Sequence, residues 1–281
     1  MTGIRREDGG IVTGRFTDHH VHLQLVDHTL PAGSLLGRVI DLGGDPAVLA
    51  ALAGGTAGVR VEYAGAFLTA PGGYPSDRAW APPGAVQEIA DAEAAAAAVD
   101  GLAAAGASWI KVALHSEAGP VLDDDAVRAV VSAAAAHGLP VIAHAEGTGQ
   151  AQRAARLGAA RLAHAPFTER LTDDEIAVQA ASVQWISTLA VHDPTQRAIA
   201  VDNVRRFADA GGTVLYGTDM GNGDTPVDLS ARELDALREA GVDGDRLLRA
   251  LTPLPHDDTR LLLPGGDPAR ARLLTGADLE T

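Results

Sequence analysis

The chain has 281 residues, with 22 basic and 37 acidic side chains and a formal net charge of −15. This negative balance, without any basic run, argues against a nucleic-acid partner and against an anionic membrane surface. Cysteine is absent, which excludes disulfides, a thiol nucleophile and metal–thiolate sites. Any bound metal would have to use nitrogen and oxygen ligands.

Two further patterns are missing from the sequence. Residues 1–14 lack the apolar segment and cleavage pattern of a signal peptide, and no stretch reaches the roughly 20 apolar residues that span a bilayer. We therefore expect a soluble, cytoplasmic protein.

Short apolar runs alternate with alanine-rich helical segments over residues 16–251, which is typical of parallel βα units. Eight strands are predicted, at 16–23, 37–42, 58–64, 109–114, 141–144, 161–164, 183–189 and 213–216. Helical segments are predicted at 84–105, 123–137, 195–210 and 228–240. The pattern predicts an α/β fold, a (β/α)8 TIM barrel over 16–251, with an N-terminal lead-in at 1–15 and a C-terminal extension at 252–281.

Lys111 is the only lysine beside 21 arginines, and it lies in an apolar run that predicts a buried strand. A guanidinium serves most charge roles as well as an ammonium, so a single retained lysine suggests that the amine itself is needed. Burial favours the neutral amine, which can add carbon dioxide and become an anionic metal ligand. The alternative is an ion-paired lysine, or one whose stem is buried and whose charge reaches solvent.

Two histidines share one face of the first predicted strand. Side chains alternate along a strand, so His20 and His22 point to the same face as Asp18, and His19 points to the other. Two adjacent imidazoles favour a metal site. A His-x-His pair alone is weak evidence, because strands also hold histidines by ordinary packing.

Three further residues of metal-ligand type, His144, His164 and Asp219, stand at the ends of later strands. Their spacings, and that of Lys111, match multiples of the roughly 30 residues in one βα unit, on strands 4, 5, 6 and 8. They would meet at the carboxyl-terminal mouth of a barrel. Zinc is the preferred metal, with manganese, iron, cobalt and nickel as alternatives. Six ligands exceed one tetrahedral shell and suggest two bridged metals.

The chain resembles the amidohydrolase superfamily, in particular the imidazolonepropionase-like branch that includes Xaa-Pro dipeptidases. The resemblance covers most of 16–251 and rests on short motifs. They are Asp18-His19-His20-Val21-His22-Leu23, Ile40-Asp41-Leu42-Gly43-Gly44, Leu68-Thr69-Ala70-Pro71-Gly72-Gly73, Trp109-Ile110-Lys111-Val112, Val141-Ile142-Ala143-His144-Ala145-Glu146-Gly147, Leu162-Ala163-His164, Ser187-Thr188-Leu189 and Gly217-Thr218-Asp219-Met220-Gly221-Asn222.

The resemblance implies a division of roles among these residues. His20 and His22 would hold one metal with Asp219, His144 and His164 would hold the second, and carboxylated Lys111 would bridge the two. Asp219 would also act as general base. The attacking group would be a metal-activated hydroxide.

The sequence departs from the family at three places. Leu162-Ala163-His164 stands where relatives usually have Ile-Glu-His, and Gly72-Gly73-Tyr74 stands where they often have Gly-Gly-His. The accessory β-sandwich of the relatives is predicted to be absent or vestigial, with a remnant at 270–279. The substrate therefore cannot be carried over from the family.

Residues near the predicted mouth supply further candidates. His192, just beyond strand 7, could bind substrate or move a proton, or it could cap a turn. Tyr74 and Trp80, in the long glycine-, proline- and aromatic-rich segment 67–83, could line an apolar pocket. Arg60 or Arg78 could receive a substrate carboxylate.

We predict hydrolysis of an amide-type C–N bond in a small molecule, such as a dipeptide, an N-acyl amino acid or a cyclic amide. A lactone or ester is an alternative substrate. A metal-dependent lyase, either a decarboxylase or a deaminating enzyme, is an alternative reaction, and a catalytically silent binding protein is a third interpretation. A homo-oligomer is also considered, because reduced termini would leave apolar edges for a second copy to cover.

Overall fold

A computed structural model of the chain describes residues 5–7, 10–26, 33–55, 58–223, 228–255 and 259–274. The strands are β1 Arg5–Glu7, β2 Gly10–Gly14, β3 Phe16–Val21, β4 Leu36–Asp41, β5 Arg60–Tyr63, β6 Phe67–Thr69, β7 Val86–Glu88, β8 Ile110–His115, β9 Val141–Glu146, β10 Arg161–Leu162, β11 Gln184–Ile186, β12 Val214–Leu215, β13 Arg260–Pro264 and β14 Arg272–Leu273. The helices are α1 Pro46–Gly55, α2 Ala92–Ala104, α3 Asp124–Ala136, α4 Gln150–Arg156, α5 Asp173–Ala180, α6 Pro194–Asp209, α7 Ala231–Glu239 and α8 Asp245–Ala250. Short 3-10 turns lie at Leu23–Leu25, Leu189–Val191 and Pro268–Arg270.

Two parallel sheets form the body of the molecule. One has seven strands in the order β12-β11-β10-β9-β8-β6-β7, and the other has three in the order β3-β4-β5. Every pairing within these two sheets is parallel. Parallel neighbours need crossover connections, and helices α2 to α6 supply several of them. The predicted α/β class with parallel strands is confirmed.

Backbone contacts join the two parallel sheets at one seam. The amide of His19 donates to the Tyr216 carbonyl at 3.0 Å, just beyond β12, and Val21 forms an isolated parallel bridge with Met220. On the other side, β5 of the three-stranded sheet pairs with β4, and β6 of the seven-stranded sheet pairs with β8. Only three residues separate β5 from β6 in the chain. The two parallel sheets are therefore adjacent at β3 and β12 and are linked in sequence at β5 and β6.

Each of the eight predicted strand segments overlaps an observed strand, and three of the four predicted helices have nearly the expected ends. The helix predicted at 84–105 begins too early. Strand β7 pairs with β6 there, and α2 begins only after Asp91, whose side chain accepts a hydrogen bond from the Ala94 amide. An N-cap carboxylate satisfies an amide that has no partner within the helix, so it sets the first turn.

The two chain ends meet in a small antiparallel sheet of order β1-β2-β13-β14. Strand β2 pairs with β13 over five residues, from Gly14 opposite Arg260 to Gly10 opposite Pro264. The predicted remnant at 270–279 contains β14, whereas β13 was not predicted, and residues 275–279 lie outside the described part of the chain. The lead-in and the extension are thus parts of one sheet.

Burial of one apolar face anchors the helices on the sheets. In α3, Val127, Val130 and Ala134 are buried at helical spacing, and Asp123 caps the first turn. Near the middle of the core, the Trp185 ring stacks on Phe207 with centroids 3.8 Å apart. Among the described residues, no helix combines the length and the hydropathy that crossing a membrane requires.

Candidate metal centre

The carboxyl ends of the parallel strands surround a cavity of about 410 Å³. All six residues that the sequence singled out as ligands line this cavity. They are His20, His22, Lys111, His144, His164 and Asp219. They belong to five parallel strands or to the segments just after them, so convergence follows from the parallel arrangement and not from proximity in sequence.

Three of these residues bring their ligand atoms together. The Nε2 atoms of His20 and His22 lie 3.2 Å apart, and they lie 3.2 and 3.3 Å from Oδ1 of Asp219. All three side chains are buried. They form a group of ligand atoms that fits one metal ion.

Hydrogen bonds at the far side of each imidazole explain this convergence. Nδ1 of His20 donates to the Ala163 carbonyl at 2.8 Å, and Nδ1 of His22 donates to the Gly43 carbonyl at 3.0 Å. A carbonyl can only accept, so each Nδ1 carries a proton, and Nε2 is the nitrogen that each ring turns toward the other ring and Asp219. Histidines that bind metals are oriented by the same kind of contact.

Acceptor atoms at these distances need a positive charge between them. Burial lowers the pKa of His20 well below its usual value, which keeps that ring neutral. Burial is also the largest influence on His22 and acts against its charge, but the hydrogen bond with Asp219 and the negative charges of Asp219 and Asp41 together outweigh burial and raise its pKa. The group therefore attracts a cation, either a proton on His22 or a metal among all three ligands. The donor set of two imidazoles and one carboxylate fits a divalent metal.

A buried carboxylate holds the segment that carries Asp219. Asp18 accepts hydrogen bonds from the Thr218 hydroxyl at 2.6 Å and from the Thr218 amide at 3.1 Å. Asp219 itself has a φ of +53°, in the left-handed region that non-glycine residues rarely adopt. Such backbone conformations persist where the surrounding structure enforces them, and they concentrate at functional sites.

A second group of candidates lies beside the first. The His164 ring centroid is 4.8 Å from that of His20 and 4.9 Å from that of His144. Nδ1 of His164 is paired with the Thr188 hydroxyl at 2.8 Å, which directs Nε2 elsewhere. Lys111 is fully buried, and burial lowers the pKa of its ammonium to about 7. A neutral amine is thus accessible to Lys111 near neutral pH.

Glu146 is a cavity residue that the sequence analysis did not select. Its Oε2 lies 3.0 Å from Nε2 of His144 and 3.3 Å from Nε2 of His115. Its position two residues after His144 on β9 was a signal, because alternate residues of a strand share a face. Phe67 and Phe167 also line the cavity and carried no recognisable signal.

The remaining candidates divide into two groups. His192, Tyr74 and Trp80 line the cavity. Arg60 does not, because it begins β5 at the amino end of the strand, where its guanidinium contacts Glu62 at 2.9 Å. Arg78 lies over the Tyr74 ring at 5.6 Å from its centroid and is absent from the described lining.

Glycine at position 43 allows one wall of the cavity to form. A Cβ atom there would lie 2.0 Å from Cζ of Phe67, which is far inside contact distance. The Phe67 ring can therefore pack beside the backbone whose carbonyl orients His22. Any side chain at Gly43 would displace this ring.

The chain was compared with known proteins by sequence and by structure. No family model and no curated protein matches its sequence significantly. A Xaa-Pro dipeptidase crystallised with methionine in its active site is 18% identical, with 91% of this chain and 81% of that chain covered and a TM-score of 0.71. An amidohydrolase structure is 18% identical, with 95% of this chain and 88% of that chain covered and a TM-score of 0.69. Phenylurea hydrolase B is 15% identical, with 90% of this chain and 80% of that chain covered and a TM-score of 0.65.

At these identities the agreement bears on the fold. It extends over nine-tenths of this chain or more in each of the three comparisons. The chain has the fold of amidohydrolase-superfamily structures, and the resemblance drawn from its sequence is confirmed at that level.

Proposed function

We propose that this chain is a metal-dependent amidohydrolase that cleaves an amide-type C–N bond in a small molecule. The observation that carries the proposal is the convergence of His20 Nε2, His22 Nε2 and Asp219 Oδ1 within 3.3 Å, with both Nδ1 atoms engaged elsewhere. The similar structures include a dipeptidase, an amidohydrolase and a phenylurea hydrolase, and this supports C–N bond hydrolysis.

The six cavity residues would hold two divalent metals. His20, His22 and Asp219 would bind one, His144 and His164 the other, and a carbamate on Lys111 would bridge them. The neutral Lys111 amine would attack carbon dioxide, forming an N–C bond and releasing a proton. Zinc is the metal we favour, since imidazole nitrogen and carboxylate oxygen both suit it. When bound, the metals would activate water and polarise the scissile carbonyl.

The protein side chains would manage the proton. Asp219 would take a proton from the attacking water and deliver it to the leaving nitrogen, which is then released as an amine. Asn222 donates to Oδ2 of Asp219 at 2.9 Å and so orients this carboxylate. His192, at the rim beside Phe167 and with ring centroids 4.1 Å apart, would contact the substrate.

We also infer that β3, β4, β5 continued by β6, β8, β9, β10, β11 and β12 form one eight-stranded barrel, with β7 paired to β6 outside it. The contacts of His19 with Tyr216 and of Val21 with Met220 support closure at one seam. The succession of β5 and β6 supports continuity at the other. A barrel would explain why ligands from the first and the last strand meet.

Metal loading and hydrolysis test the proposed function together. The purified chain would be stripped with a chelator, reloaded with zinc in bicarbonate buffer, analysed for metal and assayed against N-acyl amides and esters by amine or acid release. We expect about two metals per chain and activity that depends on them. A fully loaded protein that hydrolyses none of these compounds would contradict the proposal. Release of carbon dioxide or ammonia by a one-metal protein would favour a lyase.

A further inference from the structure

One wall of the cavity is aromatic. The Trp80 ring centroid lies 6.1 Å from those of Phe67 and Tyr74, and the Tyr74 ring stacks on His144 at 5.3 Å. Trp80 is 41% exposed, one of three large hydrophobic side chains exposed in the described part of the chain. An exposed indole at the edge of a cavity offers a surface that an apolar ligand would cover.

Outside the proposed metal centre, the charged side chain that lines the cavity in the described part of the chain is an acid. Among the described lining residues the charged side chains are Lys111, Glu146 and Asp219, and there is no arginine. Lys111 and Asp219 belong to the proposed metal centre. Glu146 is left, and its carboxylate accepts a hydrogen bond from His144 and lies 3.3 Å from Nε2 of His115.

Two arginines lie near this region but do not belong to the described lining, and one of them, Arg78, lies over the Tyr74 ring. Arg78 pairs with Asp77 at 3.3 Å, and Arg197 pairs with Glu239. Residues 27–32 and 224–227, which adjoin lining residues in sequence, contain neither lysine nor arginine. A substrate carboxylate would therefore find no guanidinium or free ammonium among the described lining residues.

The proposed metals would be engaged with the scissile carbonyl, so a carboxylate elsewhere on the substrate would leave water without a cationic partner among the described lining residues and would lose its solvation. A neighbouring Glu146 would add repulsion. We propose, on the basis of the proposed function, that the substrate is an uncharged amide with no free carboxylate, whose aromatic or apolar group lies against Phe67, Tyr74 and Trp80. The site would then differ from dipeptidase and N-acyl amino acid hydrolase sites, whose substrates carry a carboxylate.

Two compounds that differ only in a carboxylate test this proposal on the zinc-loaded full chain. They are N-acetyl-2-phenylethylamine and N-acetyl-L-phenylalanine. We expect kcat/KM to be at least about tenfold higher for the neutral compound, because an unpaired buried charge is penalised. Equal kcat/KM values, or a higher value for N-acetyl-L-phenylalanine, would overturn this proposal but would still support the proposed hydrolase function.

Hydrolysis of neither compound, nor of any other amide or ester, by fully loaded protein would instead contradict the proposed function. The substrate class would then be judged by equilibrium dialysis of the same two compounds. Tighter binding of the neutral one would support the inference, and tighter or equal binding of N-acetyl-L-phenylalanine would overturn it.

A variant that adds the missing cation provides a second test. Val191 lines the cavity, so Val191→Arg should raise the preference for N-acetyl-L-phenylalanine over the neutral amide by roughly tenfold relative to the unmodified chain. Val178→Arg adds the same charge at an exposed position of α5 outside the described lining and should leave the ratio unchanged. The same ratio in all three proteins would contradict the proposal.

The aromatic wall can be tested separately. Trp80→Ala should raise KM for N-acetyl-2-phenylethylamine by about tenfold and leave N-acetylmethylamine hydrolysis nearly unchanged, because only the first compound carries a ring to cover the indole. Val48→Ala removes an exposed apolar side chain elsewhere and serves as the control. An equal effect on both amides would argue against contact with the ring.

Discussion

The two ends of the parallel strands carry polar clusters of opposite character. At the carboxyl ends, His20, His22 and Asp219 direct acceptor atoms at one another within 3.3 Å. At the amino ends, charged groups are paired. Glu62 contacts Arg60 at 2.9 Å and accepts from the Trp109 indole at 3.1 Å.

The paired cluster continues across the amino ends. The Arg161 guanidinium lies 4.2 Å from the Trp109 ring centroid and hydrogen-bonds to Nδ1 of His19 at 3.1 Å and to Gln184 at 2.9 Å. The amino ends thus have their charges paired within the chain, whereas the His20, His22 and Asp219 group can take up a cation, either a proton on His22 or the metal of the proposed function. We expect variants of the first to change stability and variants of the second to change metal content and activity.

Asp219→Asn should have the largest effect. The amide keeps the size of the carboxylate but removes its charge and its capacity to take a proton, so kcat should fall by about 10³-fold or more. Hydrolysis and metal content would be measured together. Glu62→Gln makes the same change at the amino ends and should keep kcat within about twofold. An active Asp219→Asn protein would exclude this residue as the base.

Lys111→Arg should have the second-largest effect on activity. A guanidinium keeps the charge but does not form a carbamate, so we expect loss of about one metal per chain and of about 10²-fold or more in kcat. Metal analysis and thermal unfolding would separate metal loss from misfolding. Arg161→Lys, the reverse exchange in the paired cluster, is the matched control and should keep both metals. Full metal content in Lys111→Arg would rule out the bridging role.

Glu62→Gln should reduce stability instead of activity. Replacing the Glu62 carboxylate by an amide leaves Arg38, whose Nη1 lies 3.7 Å away, without its acidic partner. We expect the free energy of unfolding to fall by ~1–3 kcal/mol, as for buried groups that lose a charged partner. Urea unfolding measures this change. Unchanged stability would show that the cluster contributes little.

Arg60→Ala should have the smallest effect. Its side chain is 70% exposed, so solvent screens its contact with Glu62. The loss in unfolding free energy should stay below ~1 kcal/mol, and activity should not change. A loss of activity in Arg60→Ala would instead indicate that the amino ends communicate with the cavity.

Much of the site could be predicted because its residues occupy repeating positions. His20 and His22 are two residues apart at the end of β3, Lys111 lies within β8, and His144 and His164 lie near the end of β9 and just beyond β10. Strand periodicity and unit length are local properties, so they can be derived from one sequence. The arginine-rich composition likewise drew attention to Lys111 before any contact was known.

Other features escaped the sequence because they depend on distant partners. Strand β13 is recognisable only beside β2, nearly 250 residues earlier in the chain. Arg60 and Arg78 were equivalent candidates by residue type, and only the fold separates the amino end of β5 from the neighbourhood of Tyr74. Glu146 could be selected as a cavity residue only once the face of β9 that lines the cavity was known.

The alternation of strands and helices, and the positions of metal-binding residue types along the strands, can be derived from periodicity and composition alone. Which atoms meet depends on the folded chain. The carbonyls of Ala163 and Gly43 bind Nδ1 of His20 and His22, so that Nε2 of each ring faces Asp219. The charge balance of the cavity emerges only when side chains from many strands enclose one space, since burial and pairing are properties of the folded chain.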